Sequence, residues 1–226
     1  MPAGPAEPAP LPPRRRLGLL LLLFIGVLAP LWLFAELADE VHELEEIFLD
    51  DALLHWLNAL AGPRLDAFFV AVTRVGYQYG VVPVDVLLPL LLLWRRRWRE
   101  AVFVAVACGG SALLNIAAKQ TFQRPRPALW ESIAPESTFS FPSGHAMGSM
   151  TLAAVLVLLA WHTRWRWPVL AGAVVFTVLV GVSRLYLGVH YPSDVLAGWA
   201  AGLAWVAGTY LVLFRARRPW RAGVVR

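Results

Sequence analysis

Six long apolar stretches, separated by polar segments, set the pattern of this chain. Most of them approach the roughly 20 residues that an α-helix needs to cross a bilayer. The pattern predicts an all-α, polytopic membrane protein with six transmembrane helices, the second of which we expect to break at Gly76. A cleaved signal peptide is the alternative for the first stretch, but its apolar run is longer than a typical signal core. The stretches lie at 17–35, within 65–94, and at 101–118, 146–160, 169–186 and 195–214.

The segment 36–64, between the first two apolar stretches, has a different pattern. Apolar residues recur at helical spacing from Leu37 to Phe48, and acidic residues fill the positions between them. This spacing predicts an acidic amphipathic helix on the outer membrane surface. Asp50 and Asp51 then favour the start of a second short helix. A carboxylate metal site is an alternative for these residues, but a solvated helix face explains them more simply.

Composition agrees with a membrane protein. Hydrophobic residues make up 58% of the 226 residues, and the mean hydropathy is +0.60, whereas soluble domains are about 45–50% apolar. The net charge of +5 does not indicate nucleic-acid binding, because most arginines flank apolar stretches, where membrane topology requires them. The single cysteine, Cys108, excludes an internal disulfide and a thiolate metal site.

The distribution of arginines also orients the chain in the membrane. Arginine-rich segments fall on one side of a six-helix topology, and positive residues favour the cytoplasm. We therefore expect both termini in the cytoplasm and the loop 120–141 outside. The predicted organisation is a disordered basic tail at 1–16, the first span at 17–35, the outer amphipathic segment at 36–64, a core with spans two to six at 65–214, and a basic cytoplasmic tail at 215–226.

Three polar clusters are expected to meet at the outer ends of the spans. Topology disfavours positive residues on that side, so Lys119, Arg126 and Arg184 need another reason to be there, and function is the first candidate. Three cations can hold a phosphate by charge-assisted hydrogen bonds. Ser143 and Gly144 stand at the start of an apolar helix, where free N–H groups attract anions.

His190 and Asp194 supply the chemistry expected at that phosphate. Their spacing lets the carboxylate bind one ring N–H and leaves the other ring nitrogen free to attack phosphorus. His145 would protonate the leaving oxygen and then activate the water that hydrolyses the phosphohistidine. The cations would balance the developing charge, so we expect neither a metal nor another cofactor. Structural alternatives stay open: Asp194 can cap the last helix, and Lys119 can simply be a helix-end residue.

Three motifs resemble the signature of the type-2 phosphatidic acid phosphatase family. They are Lys119-x6-Arg126-Pro127, Pro142-Ser143-Gly144-His145 and Ser183-Arg184-x5-His190-x3-Asp194. The resemblance runs from about Leu65 to Phe214, and it implies six spans and metal-independent hydrolysis of lipid phosphates. It also implies that His190 is the nucleophile, Asp194 its orienter and His145 the acid and base. The residues implied to bind phosphate are Lys119, Arg126, Ser143, Gly144 and Arg184.

The Arg-Pro step occurs a second time, at Arg124-Pro125, just before the one in the motif. Arg124 is therefore a second candidate to assist at the phosphate, although the spacing from Lys119 favours Arg126. All positions of the three motifs are present in this chain.

A lipid phosphatase in the inner (plasma) membrane, with its active site on the outer face, is the leading expectation. Undecaprenyl pyrophosphate ranks first as substrate, because the carrier is released on that side. Phosphatidylglycerophosphate, phosphatidic acid and phosphotransfer to a lipid or sugar acceptor are the alternatives. Soluble vanadium haloperoxidases share the signature, but the hydrophobic spans argue against them. A transporter or scaffold would require vestigial motifs. The expected partners are the lipid substrate and the bilayer, not nucleic acid, and the oligomeric state is left open.

Overall fold

The computed structural model describes residues 13–43 and 48–214 of the chain. Residues 1–12 and 215–226 of the predicted tails, and Leu44 of the predicted amphipathic helix, lie outside this range. Helices form every regular element of the described part, as the apolar pattern predicts. The α-helices are α1 (Pro13–Leu23), α2 (Ala29–His42), α3 (Phe48–Asn58), α4 (Pro63–Thr73), α5 (Val82–Trp94), α6 (Trp98–Phe122), α7 (Gly144–Ala160), α8 (Arg166–Tyr186) and α9 (Pro192–Phe214), with π-helical turns at Phe24–Leu28 and Arg74–Val81.

Five helical runs in the described residues are long and apolar enough to cross a membrane. They lie at Leu17–His42, Pro63–Trp94, Trp98–Phe122, Arg166–Tyr186 and Pro192–Phe214. The remaining predicted span, the fourth, at 146–160, corresponds to α7, which is apolar but has only 17 residues. Its first turn contains the Gly144-His145 step of the predicted site, so polar chemistry occupies part of its length.

The first helix is longer than predicted at both ends. Residues 13–16, assigned to the tail, form the first turn of α1, where a proline fits because its missing N–H is not needed. At the other end the π-helical turn joins α1 to α2, and no separate helix begins at residue 36. Leu37 and Val41 do not face the membrane surface, since they are buried against Phe141 and Ala197.

The predicted break at Gly76 is also absent. The chain continues from α4 to α5 through a π-helical turn, which accommodates an extra residue without ending the helix. A Cβ atom at Gly76 would lie 2.8 Å from Cγ2 of Val180 in α8. Gly76 therefore allows close packing against α8 and does not mark a helix break.

Helix α7 lies at the centre of the bundle and packs on α6, α8 and α9. Two glycines of α9 allow its close approach to α7: a Cβ at Gly198 would lie 2.7 Å from the Ser143 carbonyl oxygen, and one at Gly202 would lie 2.8 Å from that of Met147. This contact brings the start of α9 next to the start of α7. The end of α6, the start of α7, the end of α8 and the start of α9 thus meet in one region.

Candidate active site

The loop between α6 and α7 carries much of the candidate site. Helix α6 ends at Phe122, and the left-handed conformation of the next residue, Gln123 (φ 47°), turns the chain out of the helix. The loop then crosses the helix ends and returns at Ser143, the N-cap of α7. Arg126, Glu136 and Ser140 of this loop all contact residues of α8, α9 or the turn between them.

His190 and Asp194 are joined as their spacing predicts. Nδ1 of His190 lies 3.4 Å from Oδ2 of Asp194, and both side chains are almost completely buried. The same carboxylate oxygen accepts from the hydroxyl of Ser140 and from the Tyr191 N–H, at 2.8 Å in the latter case. The contact with the Tyr191 N–H is that of a capping box. Asp194 therefore caps α9 and holds the histidine at the same time.

The second nitrogen of His190 points towards a cation. Nε2 lies 3.1 Å from Nη1 of Arg126. Because the Asp194 carboxylate can only accept, we assign the ring proton to Nδ1, which leaves the lone pair of Nε2 towards Arg126. Burial lowers the pKa of His190 to about 4, although its bond to Asp194 raises it. The ring is therefore neutral at pH 7, and its Nε2 lone pair accepts a hydrogen bond from Arg126.

The start of α7 is held by its N-cap and by a backbone hydrogen bond to α9. The Ser143 hydroxyl accepts from the Ala146 N–H at 3.4 Å, so it caps α7. The Ser143 N–H donates to the Asp194 carbonyl at 3.0 Å, which links the two helix starts. A Cβ at Gly144 would lie 3.0 Å from Oδ1 of Asn115, a tight contact that glycine avoids.

His145 lies in the first turn of α7 and faces a carboxylate. Its ring stacks on Tyr77, with 4.3 Å between ring centroids. Its Nδ1 lies 3.8 Å from Oε1 of Glu136. The same oxygen accepts from Nη2 of Arg184, whose other terminal nitrogen donates to the hydroxyl of Thr73. Arg184 is deeply buried, so its guanidinium is held in one orientation.

Glu136 was not predicted, yet it occupies the middle of the candidate site. Its two carboxylate oxygens accept from Arg126, at 2.9 Å, and from Arg184. Burial raises its pKa, but the charges of Arg184 and Arg126 outweigh burial and hold the pKa below its usual range. A carboxylate thus bridges the two arginines expected to hold phosphate. The signal for Glu136 in the sequence was its position as an acidic residue in the loop between the first two motifs.

The remaining cations differ in their position. The Lys119 ammonium donates to the Phe139 carbonyl, which also accepts from Arg126 at 3.3 Å, so Lys119 lies beside the other phosphate-binding candidates. Arg124 does not join them. It lies against Asp194, to whose Oδ1 it donates at 2.7 Å. The expectation that Arg124 assists at the phosphate therefore does not match its contacts.

The structure brings the predicted residues into one contiguous set. Arg126 connects His190 to Glu136, Glu136 connects Arg184 to His145, and Asp194 connects His190 to Ser143. Within residues 13–43 and 48–214, no group of three or more His, Cys, Asp or Glu side chains is arranged to hold a metal ion. Fold and site together have the architecture of a membrane-embedded phosphatase.

Comparisons with known proteins agree with that class. Phosphatidylglycerophosphatase B of Bacillus subtilis is 30% identical over 175 residues, or 75% of this chain and 86% of that protein. An undecaprenyl-diphosphatase of Sulfolobus acidocaldarius is 30% identical over 148 residues, or 63% of this chain and 68% of that protein. The crystal structure of a transmembrane PAP2-type phosphatidylglycerolphosphate phosphatase from Bacillus subtilis matches with a TM-score of 0.72 and 28% identity, over 84% of this chain and 98% of that one.

The family follows from these similarities. The chain belongs to the PAP2 superfamily, whose family model matches residues 100–218. It is a multi-pass membrane enzyme that hydrolyses lipid phosphates, as its phosphatase relatives do.

Proposed function

We propose that this enzyme hydrolyses a lipid phosphate through a phosphohistidine formed on Nε2 of His190. One observation carries the proposal: His190 is fixed through Nδ1 by Asp194, and its Nε2 accepts from the cation Arg126, which an incoming phosphate would take over. A neutral imidazole held in one tautomer beside an anion-binding cation has the arrangement that nucleophilic attack on phosphorus needs.

The reaction takes two displacements. In the first, Nε2 of His190 attacks phosphorus, the bond from phosphorus to the leaving oxygen (the lipid oxygen of a monoester, or the bridging oxygen of a diphosphate) breaks, and that oxygen takes a proton from His145. In the second, His145 takes a proton from water, the water oxygen attacks phosphorus, and the P–N bond breaks to release inorganic phosphate and free His190. Arg126, Arg184 and Lys119 stabilise the charge on the transferred group.

Undecaprenyl pyrophosphate is our leading substrate, in agreement with the name of the Sulfolobus relative. Phosphatidylglycerophosphate is the second candidate, because phosphatidylglycerophosphatase B is similar over a larger share of the chain. The two differ in the leaving group. A diphosphate leaves as a lipid monophosphate, whereas a phosphate monoester leaves as an alcohol that needs a proton from His145. Loss of the acid should therefore slow hydrolysis of a monoester more than that of a diphosphate.

We also propose a six-span topology for the inner membrane, with both termini in the cytoplasm and the site outside. The site lies where α6 and α8 end and α7 and α9 begin, whereas Arg95–Arg97 and Arg164 lie in the turns at the opposite helix ends. A membrane-impermeant maleimide tests this arrangement. In a Cys108→Ser background, Ile133→Cys should be labelled in intact cells and Thr163→Cys only after permeabilisation. The reverse pattern would overturn the orientation.

The catalytic proposal is tested with purified enzyme in detergent. Release of inorganic phosphate is measured for undecaprenyl pyrophosphate, phosphatidylglycerophosphate and phosphatidic acid, with and without EDTA. We expect undiminished rates in EDTA, and loss of at least about a thousandfold in His190→Ala, since the nucleophile is removed. Full activity of His190→Ala would refute the mechanism. Phosphate retained on a lipid or sugar acceptor would identify phosphotransfer instead of hydrolysis.

A further inference from the structure

Asp50 is a buried carboxylate that belongs to none of the three motifs. It lies in the first turn of α3, and only 4% of its surface is exposed. Its Oδ1 accepts from the Ser193 N–H at 2.9 Å, and its Oδ2 accepts from the Ser193 hydroxyl. A carboxylate from a distant part of the chain thus binds the first turn of α9, where a helix has free N–H groups.

Arg124 connects this carboxylate to the one that holds His190. Its Nη2 donates to Asp50 at 2.9 Å, and its Nη1 donates to Asp194 at 2.7 Å. The guanidinium also lies 4.1 Å from the centroid of the Tyr191 ring. A planar fork with donors on both terminal nitrogens can bridge two carboxylates in this fixed geometry, which the single nitrogen of a lysine ammonium does not reproduce.

The position of Asp50 is fixed by apolar packing below it. Leu54 and Leu57, on the same helix, are buried together with Leu185 of α8 and Val195 of α9. Helix α3 is therefore docked on the two helices that carry the second half of the site. Asp50 cannot move away from Ser193 without exposing these leucines.

The contacts of Asp194 divide between its two oxygens. Oδ1 is bound by Arg124, whereas Oδ2 serves Ser140, the Tyr191 N–H and Nδ1 of His190. Without Arg124, the buried carboxylate would have no cation at Oδ1, and the hydrogen bond that holds this oxygen would be lost. The hydrogen bond from Nδ1 of His190 to Asp194 would then change in both direction and strength.

We propose that Asp50 and Arg124 are positioning residues, which act through Asp194 to set the orientation and the basicity of the nucleophile His190. This inference rests on the proposed function and deepens it. It also gives the outer segment a role: α3 supplies the far end of a relay from Asp50 through Arg124 and Asp194 to His190.

Removal of the Arg124 charge and removal of the Asp50 charge should shift the pKa of His190 in opposite directions. Arg124→Gln removes the cation that balances Asp194, so the carboxylate stabilises the imidazolium more strongly and the pKa of His190 rises. Asp50→Asn removes the anion that balances Arg124. The Arg124 cation then offsets more of the negative charge of Asp194, and the pKa of His190 falls. The other charged or titratable groups around His190 are Lys119, Arg126, Glu136, His145 and Arg184.

The experiment measures kcat and KM against pH for both variants, with rates normalised to protein that is monodisperse on gel filtration in detergent. We expect kcat to fall roughly tenfold in Arg124→Gln with little change in KM, as for loss of an outer-shell partner. The His190 limb should move up by roughly half a pH unit in Arg124→Gln and down in Asp50→Asn. Arg124→Lys should recover only part of kcat, because one ammonium nitrogen does not reproduce the planar fork that holds both carboxylates in a fixed direction.

Asp51→Asn is the matched control, since it makes the same change at the next, exposed position of α3. It should leave the profile unchanged. Unshifted profiles, or shifts in the same direction, in Arg124→Gln and Asp50→Asn would overturn the relay. If either variant does not fold, Arg124→Lys decides, because full kcat there would overturn it as well. The proposed function fails separately, if the unaltered enzyme releases no phosphate or His190→Ala stays active.

Discussion

Glu136 occupies the place where a phosphate is expected, so its removal should change phosphate affinity. The perturbation is Glu136→Gln, which keeps the shape of the side chain and removes its charge. In the free enzyme the carboxylate binds Arg126 at 2.9 Å and also binds Arg184, and it lies 3.8 Å from His145. An incoming phosphate must take over these donors. Its binding is therefore weakened by the ion pairs that it displaces.

The size of this effect follows from the contacts that are exchanged. A hydrogen bond to a charged group contributes about 1.5–3 kcal/mol, but the displaced carboxylate regains water because its side chain is 27% exposed. We take a net of about 1.4 kcal/mol, which corresponds to a tenfold change in affinity. Glu136 is charged at neutral pH because its pKa is lowered. The competition is thus present at neutral pH and is lost in acid, as the carboxylate is protonated.

The assay is inhibition of lipid phosphate hydrolysis by inorganic phosphate and by vanadate at pH 7. We expect both inhibition constants to fall about tenfold in Glu136→Gln, with a matching fall in KM. Glu131→Gln is the control, because Glu131 is an exposed carboxylate of the same loop. Unchanged or weaker inhibition in Glu136→Gln would refute the idea that this carboxylate competes with phosphate, and would assign it to the support of His145 instead.

Three other expectations follow from the structure. NMR titration of the ring nitrogens of His190 should give a midpoint near the lowered pKa of about 4, not near 6.5. Since the unfolded chain would bind that proton near 6.5, this group should reduce stability as the pH falls from about 6.5 to about 4, which acid-dependent thermal unfolding would detect. Gly198→Ala places a methyl 2.7 Å from the Ser143 carbonyl and should cost about 1–3 kcal/mol of stability, whereas Gly208→Ala, with open space around it, should cost nothing. Vanadate should inhibit the enzyme, since its adduct resembles the phosphoryl transition state; insensitivity would contradict the pocket.

Much of the site could be predicted because membrane topology limits where helix ends can lie. Once the apolar stretches alternate across a bilayer, Lys119, Ser143, Arg184 and His190 must come to the same side. The pairing of His190 with Asp194 follows from their four-residue separation, with the histidine in the turn just before the helix whose first turn contains the carboxylate. These conclusions need only local periodicity and the direction of each span, and both are written in the pattern of apolar residues.

The roles of the carboxylates Asp50 and Glu136 in the candidate site could not be predicted, because they depend on long-range packing. Asp50 was interpreted as the start of a solvated helix, and nothing in its neighbourhood shows that it binds Ser193 and Arg124. Glu136 lies in a loop without periodicity. Gly76 looked like a helix break for a related reason: a glycine that ends a helix and a glycine that admits a neighbouring helix have the same local sequence. Only the position of Val180 distinguishes the two.

The burial of Leu37 and Val41 against Phe141 has a consequence for modular exchange between relatives. The region that matches the PAP2 superfamily begins at residue 100, yet the loop residue next to Ser140 is packed against the first helix of the chain. A chimaera that transplants residues 100–218 onto a foreign membrane anchor would carry every motif but leave Phe141 without the apolar partners that α2 supplies. The unit that can be exchanged with its activity intact therefore begins with the first helix.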